Sequence, residues 1–284
     1  MTGTLLSLGH GYCARALARR LGPDWRVVGT TRSVEKAARL AAEGVEPRVW
    51  PGVDLAPDIA EATHILASAG PGEDGDPFLP LLGAGLRNAR ARWVGYLSTT
   101  GVYGDHGGGW VDEETPLTPG TERGRRRVLA EAQWRDLAAQ AGWPLHVFRL
   151  AGIYGPGRSP LDRVRRGEAR RVVKPGQVFS RIHVDDIAQV LAASMAAPVP
   201  GGRAYNICDD DPAPPQDVIA HAAALLGLPV PPEVPFDAAE MSPMAASFYA
   251  ETKRVRNDRI KHELGVRLLY PTYREGLAAL AARG

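Results

Sequence analysis

Three features of the sequence predict an α/β protein built on a doubly wound parallel sheet, with a smaller, loop-rich C-terminal part. Up to residue 150, apolar runs of strand length alternate with stretches of helical periodicity. A glycine-rich turn joins the first run to the first helical stretch. Beyond residue 150, glycine and proline interrupt the pattern at 155–160, 174–176, 198–202 and 212–215, and 229–235 is proline-rich.

The strand-length runs fall at 4–8, 26–30, 47–50, 64–68, 93–98 and 145–150, each bounded by Gly, Pro or polar residues, and six such strands complete a doubly wound sheet. Between the first two, Ala14, Leu17, Ala18 and Leu21 recur at helical spacing while Arg15, Arg19 and Arg20 face elsewhere. A second stripe runs through Ala130, Trp134, Leu137, Ala138 and Ala141. The C-terminal part still carries helices: one with Ile187, Val190, Leu191 and Ser194 behind Asp185, and a last one opened by Thr272 with Glu275 as a capping box.

Composition narrows the class of partner. The 284 residues are 44% hydrophobic and 23% charged, as in globular proteins, and 34 basic against 32 acidic residues leave a net charge of +2. So even a balance gives no electrostatic footprint for nucleic acid or an anionic membrane, and points to a small molecule instead. Cys13 and Cys208 lie far apart with no ligand spacing, so neither a disulfide framework nor a metal site is expected. Asp209, Asp210 and Asp211 lack the alternation of a calcium loop and read as a solvated turn. The first ten residues lack the basic start of a signal sequence, and no apolar run reaches the roughly 18 residues of a membrane span, so a cytoplasmic protein is expected.

The run Leu8-Gly9-His10-Gly11-Tyr12-Cys13-Ala14 follows the first strand and opens the first helix. Gly9 permits a tight turn, Gly11 lets backbone N–H groups approach a pyrophosphate, and the small Ala14 lets helix and strand pack closely; phosphate charge meets the helix N-terminus. This arrangement, with Tyr12 in the same turn, predicts a Rossmann-like dinucleotide-binding unit over 1–150, and the loop-rich remainder, 151–284, reads as a smaller part partly woven into it. At the end of the second strand, where an acidic residue would accept from a ribose 2′-hydroxyl, the chain has Thr31 and then Arg32, about 20 residues after the glycines. An arginine there pairs with a 2′-phosphate, which favours NADP over the alternative NAD.

Further landmarks follow in one order: Ser98-Thr99-Thr100-Gly101-Val102-Tyr103-Gly104, Asp112-Glu113 with Pro116, Arg149, Tyr154-Gly155-Pro156-Gly157-Arg158, His183-Val184-Asp185-Asp186, and Tyr205-Asn206-Ile207. This series resembles the extended short-chain dehydrogenase/reductases, the NAD-dependent epimerase/dehydratase family, and in detail its atypical branch, over nearly the whole chain. The resemblance implies that Thr99 holds the hydroxyl position beside nicotinamide and substrate, and that Ala67, Ser68 and Ala69 line the cofactor. It also implies that 151–284 is the substrate-binding part, that the substrate is small, polar and sugar-like, and that a homodimer forms through helices beside the sheet.

The family's catalytic Tyr-xxx-Lys pair is absent. Counting back from Glu131, its tyrosine falls on Arg123 and its lysine on Arg127. Arginine does not give up its proton near neutrality, although Arg127 can still hydrogen-bond a ribose or phosphate. The arginines at 123 and 125–127 read either as a solvated helix start, with Glu131 paired to Arg127 and Arg135, or as an anion site. A replacement acid has to come from Tyr103, Tyr154, His183 or His106, with Tyr103 first. The sequence therefore predicts an NAD(P)-dependent oxidoreductase or epimerase-like enzyme, with a non-catalytic dinucleotide-binding or sensing protein as the alternative.

Overall fold

The computed structural model describes residues 2–283. Its main sheet contains β1 (Gly3–Leu8), β2 (Trp25–Thr31), β3 (Glu46–Val49), β4 (His64–Ala67), β5 (Trp93–Thr99), β6 (Leu145–Leu150) and β7 (Arg203–Ile207). All are parallel, in the order β7-β6-β5-β4-β1-β2-β3. The order reverses between β1 and β4, so the loops after these two strands diverge and leave a crevice at their C-terminal ends.

Both faces are covered by helices, which is why the strands read as apolar runs rather than alternating ones. Leu5, Trp93 and Phe148 pack on one side, beneath α1 (Tyr12–Leu21) and α7 (Val184–Ala196). Their neighbours Leu6, Val94 and Val147 pack on the other. That second side carries α3 (Ala56–Glu61), α4 (Leu79–Leu86) and α5 (Glu122–Ala141), and α5 buries Ala130, Trp134, Leu137 and Ala138 as its periodicity predicts. The remaining helix of the first half, α2 (Val34–Ala42), is capped by Ser33 and precedes β3.

The seventh strand was not among the six that the apolar runs predict. It comes from the C-terminal part and pairs with β6 alone, so the two parts share one sheet. It is an edge strand that mixes residue types, burying the polar Asn206 between Tyr205 and Ile207. A smaller core of Tyr154, Leu161, Val164, Ala222 and Leu277 joins α6 (Pro160–Arg165), α8 (Pro215–Leu225) and α11 (Tyr273–Ala281), with α9 (Pro243–Tyr249) and α10 (Asp258–Leu264) between the last two in sequence. The capping box at Thr272 and Glu275 forms.

The acidic run departs from the expected solvated turn. Asp209 is buried and burial raises its pKa well above the ordinary carboxylate value, with Arg181 opposing the rise. Asp210 and Asp211 pair with Lys261 and Arg274. Among the described residues no helix is long and apolar enough to cross a membrane.

Candidate functional site

The site begins where β1 ends. Gly9 has φ +81°, and a Cβ there would stand 2.9 Å from both the backbone nitrogen and the Cβ of Ala69, so no other residue fits without displacing backbone. The turn is braced from both sides: the Gly9 N–H donates to Thr30 Oγ1 at 2.6 Å, and the Ser68 hydroxyl donates to the Gly9 carbonyl at 2.5 Å. Ser68 and Ala69 are thus tied to the glycine turn itself. Ala67, expected to line the cofactor, is the last residue of β4 and is buried.

Gly11 differs in kind. It has an extended backbone, and a Cβ on it would meet only the Gly9 carbonyl at 3.6 Å. Nothing in the protein requires a glycine there. It is also the N-cap of α1 and supplies no side-chain cap, so the first-turn N–H groups lack a side-chain acceptor at the cap. An uncapped helix start behind a residue kept free of a side chain fits a dinucleotide pyrophosphate. Tyr12 spans from this turn to the loop after β6, donating to the Pro156 carbonyl at 3.0 Å.

His10, between the two glycines, is fully buried against Gly29 of β2, and neither ring nitrogen has a partner among the described residues. Burial, and after it the charge of Lys36, lowers its pKa to about 4, so the folded ring is neutral. Between pH 6.5 and about 4 the unfolded chain takes up a proton here and the folded chain does not. The stability His10 contributes is therefore complete above pH 6.5 and is lost as pH falls through that window. His10→Leu is expected to reduce the slope of unfolding free energy against pH in that window by up to about 1.4 kcal/mol per pH unit. Identical slopes in denaturant titrations of the two proteins would contradict this.

At the end of β2, Thr31 is buried and accepts a bond from the Ser33 N–H at 3.3 Å. Arg32 is exposed, and among the described residues it has no ion pair and no side-chain hydrogen bond. Lys36 stands one turn along α2, where burial, and then Arg15, Arg39 and Arg32, lower its pKa. Among the described residues no carboxylate neutralises Arg32, whereas Arg15 is paired with Glu43.

Beyond β5 a short 3-10 turn (Thr100–Tyr103) is capped by Thr99, whose Oγ1 accepts from the Gly101 N–H at 3.2 Å. Thr99 is half-buried and is the last residue of β5. Tyr103 is not available for chemistry. It is fully buried, its hydroxyl donates to Asn206 Oδ1 at 2.7 Å and accepts from Arg149 at 2.9 Å, and burial pushes its pKa up to about 12 against the opposing Arg149. It is an internal strut. The other replacement acids are also engaged or enclosed. His183 is buried and caps α7 through Nδ1, His106 bonds the Tyr103 carbonyl, and Tyr154 is buried with burial raising its pKa.

Tyr103 belongs to a polar network that spacing alone did not reveal. Arg149 on β6 bonds Glu131 on α5 through Nε at 3.2 Å and Nη2 at 2.9 Å, and the Ser98 hydroxyl donates to the same carboxylate at 2.6 Å. Glu131 thus turns inward. Its predicted i,i+4 partner Arg127 does not pair with it, while Arg135 approaches to 3.6 Å.

Arg127 points its Nη1 at the Leu97 carbonyl (2.6 Å), the Tyr96 hydroxyl (3.1 Å) and the Ala69 carbonyl (3.4 Å), bridging the ends of β4 and β5. Its Nε and Nη2 have no partner among the described residues, so these donors stay uncommitted beside the crevice. One turn earlier, Arg123 lies over the Phe248 ring at 5.5 Å.

The strand order, the reversal between β1 and β4 and the glycine turn at that crevice define a Rossmann-type nucleotide-binding α/β protein. A model of the NAD dependent epimerase/dehydratase family matches residues 79–208. Protein YeeZ of Escherichia coli K12 is 30% identical over 282 residues, covering 93% of this chain and 95% of that one. A functionally unknown conserved protein of Silicibacter pomeroyi has a structure that superposes with a TM-score of 0.93 at 61% identity, over 99% of each chain. The 3-diazoavenalumate denitrifying reductase of a Streptomyces species is 28% identical over 183 residues, covering 59% of this chain and 58% of that one. The chain belongs to the NAD-dependent epimerase/dehydratase family, and its fold is that of the family's oxidoreductases.

Proposed function

We propose that this protein is an NADP-dependent oxidoreductase acting on a small polar substrate, in which arginine replaces the usual tyrosine acid. The observation that carries the reading is Gly11. The protein leaves room for a side chain there, yet the position is glycine at an uncapped helix start, which is what close approach of a pyrophosphate requires. Gly9, Gly11, Tyr12, Ser68 and Ala69 form the cradle, and Thr31 with Arg32 meets the adenosine ribose.

When bound, the nicotinamide supplies or accepts a hydride. Arg127, fixed on the Leu97 and Ala69 carbonyls, offers its free Nε and Nη2 donors to the nicotinamide ribose. Arg123 stays charged at neutral pH, so it stabilises negative charge developing on a substrate oxygen without carrying a proton. The proton then exchanges with water beside Thr99. The reductase from Streptomyces is a relative whose name records reduction, which accords with this reading. A non-catalytic dinucleotide sensor is the second reading, favoured by the arginine at the acid position.

The test is calorimetric titration with NADP(H) and NAD(H), in wild type and Arg32→Ala. Losing one charge-assisted contact to a 2′-phosphate costs ~1.5–3 kcal/mol, roughly tenfold to a hundredfold in NADP affinity, with NAD affinity unchanged. Equal NADP affinities would remove the NADP assignment. Binding of neither dinucleotide would remove the oxidoreductase.

A further inference from the structure

Successive residues of a parallel strand direct their backbone N–H and C=O groups to alternate sides. The Ala151 N–H, just past β6, donates to the Ile207 carbonyl at 3.0 Å, so Arg203, Tyr205 and Ile207 of β7 face β6. Ala204 and Asn206 therefore turn their backbone groups to the outer edge of the sheet. A further parallel strand would bond this edge through one residue, its N–H to the Ala204 carbonyl and its C=O to the Asn206 N–H.

Two side chains hold those places instead. Glu113 Oε1 accepts from the Asn206 N–H at 2.8 Å, and Arg259 Nη1 donates to the Ala204 carbonyl at 3.3 Å. The two side chains also approach each other, with Arg259 Nε 3.8 Å from Glu113 Oε2. One acceptor and one donor, held side by side, offer β7 what a single residue of a neighbouring strand would offer.

The pair is built from distant parts of the sequence. The two-residue strands Trp110–Val111 and Arg254–Val255 pair in parallel, which sets the turn carrying Glu113 beside the start of α10 carrying Arg259. Asp112 Oδ1 braces that turn by accepting from the Glu114 and Thr115 N–H groups at 3.1 and 3.0 Å, and Arg259 Nη2 ties it to Glu114 at 2.5 Å. The Glu113 and Arg259 side chains are 4% and 19% exposed, so their positions are fixed by packing. The opposite edge strand, β3, is closed by other means: it is four residues long and contains Pro47. β7 has no proline.

We propose that Glu113 and Arg259 form a clasp that keeps the β7 edge closed to strand addition by a second copy of this chain. Exposed strand edges are templates for such pairing, and the clasp removes the one outward donor and acceptor that a parallel strand would engage together.

The test compares the full chain with the double variant Glu113→Ala, Arg259→Ala, by amide hydrogen exchange at low concentration and by sedimentation over a rising concentration series. In the double variant the Asn206 amide is expected to exchange roughly tenfold faster or more, while the Tyr205 amide, directed at β6, stays as protected as in the wild type. That contrast separates an opened edge from an unfolded chain. The double variant is expected to form assemblies larger than the wild type forms at the same concentration. Adding Ala204→Pro, which removes an outward N–H, is expected to restore the wild-type distribution. Arg259→Ala alone uncovers only the Ala204 carbonyl and is expected to associate to an intermediate degree; it decides the matter if the double variant does not fold. Unchanged exchange at Asn206, wild-type assembly in the folded variants, or association that survives Ala204→Pro would each overturn the proposal.

Discussion

Replacing Arg149 by alanine is expected to destabilise the folded protein by ~3–5 kcal/mol, because it strands a buried carboxylate. The Arg149 and Glu131 side chains are 4% and 2% exposed and meet at 2.9 Å. Without the guanidinium, Glu131 keeps the Ser98 hydroxyl and a distant Arg135, and Tyr103 loses the donor to its oxygen. The network reaches across the sheet: Tyr103 continues to Asn206 on β7, whose backbone N–H donates to Glu113 at 2.8 Å. Urea titration is expected to show a lower midpoint with the slope unchanged. The double replacement Glu131→Leu with Arg149→Met is expected to recover most of the loss, since the penalty lies in the unpaired charge rather than in the absence of the pair. A loss below ~1 kcal/mol in Arg149→Ala would mean that water reaches Glu131 and that the network is weaker than its burial implies.

That network also shows where a sequence stops being legible. The six strands can be read because buried parallel strands need apolar residues on both faces, so neighbours such as Leu5 and Leu6 are alike although they face opposite cores. The edge strand β7 has no such uniformity, and its Asn206 serves the network rather than the core. Helical spacing offers Glu131 the partners Arg127 and Arg135, yet the better one is Arg149, 18 residues away on β6. Only the packing of α5 on the sheet brings it there. For the same reason the motif around Tyr103 suggests a reactive hydroxyl, whereas the fold turns the residue inward. The glycine turn and the positions of Arg123 and Arg127 are legible because they lie within single elements. Which of the arginines are neutralised depends on Glu122, Glu73 and their geometry.

The two glycines of the cofactor turn are expected to respond oppositely to one added methyl group. Gly9→Ala must carry a left-handed φ, at ~1–2 kcal/mol, and drive a Cβ into backbone atoms of Ala69. Those atoms are held by the Ser68 bonds to Gly9 and Leu8 and cannot withdraw without opening β4 from β1. The variant is expected to lose stability and dinucleotide binding together. Gly11→Ala meets nothing closer than 3.6 Å and has an extended backbone open to any residue, so its cost is that of a poorer N-cap, ~0.5–1 kcal/mol. Its Cβ instead occupies the space above the α1 N-terminus that the proposed function assigns to the pyrophosphate. A loss of tenfold or more in NADP affinity is therefore expected, equivalent to at least ~1.4 kcal/mol, with little change in the unfolding midpoint. Calorimetry and thermal melts on both variants separate the cases. If Gly11→Ala binds NADP as wild type does, the glycine is not reserved for a phosphate, and the cofactor must enter elsewhere or not at all. If Gly9→Ala melts like wild type, the brace through Ser68 is slack and the turn is less fixed than its hydrogen bonds indicate.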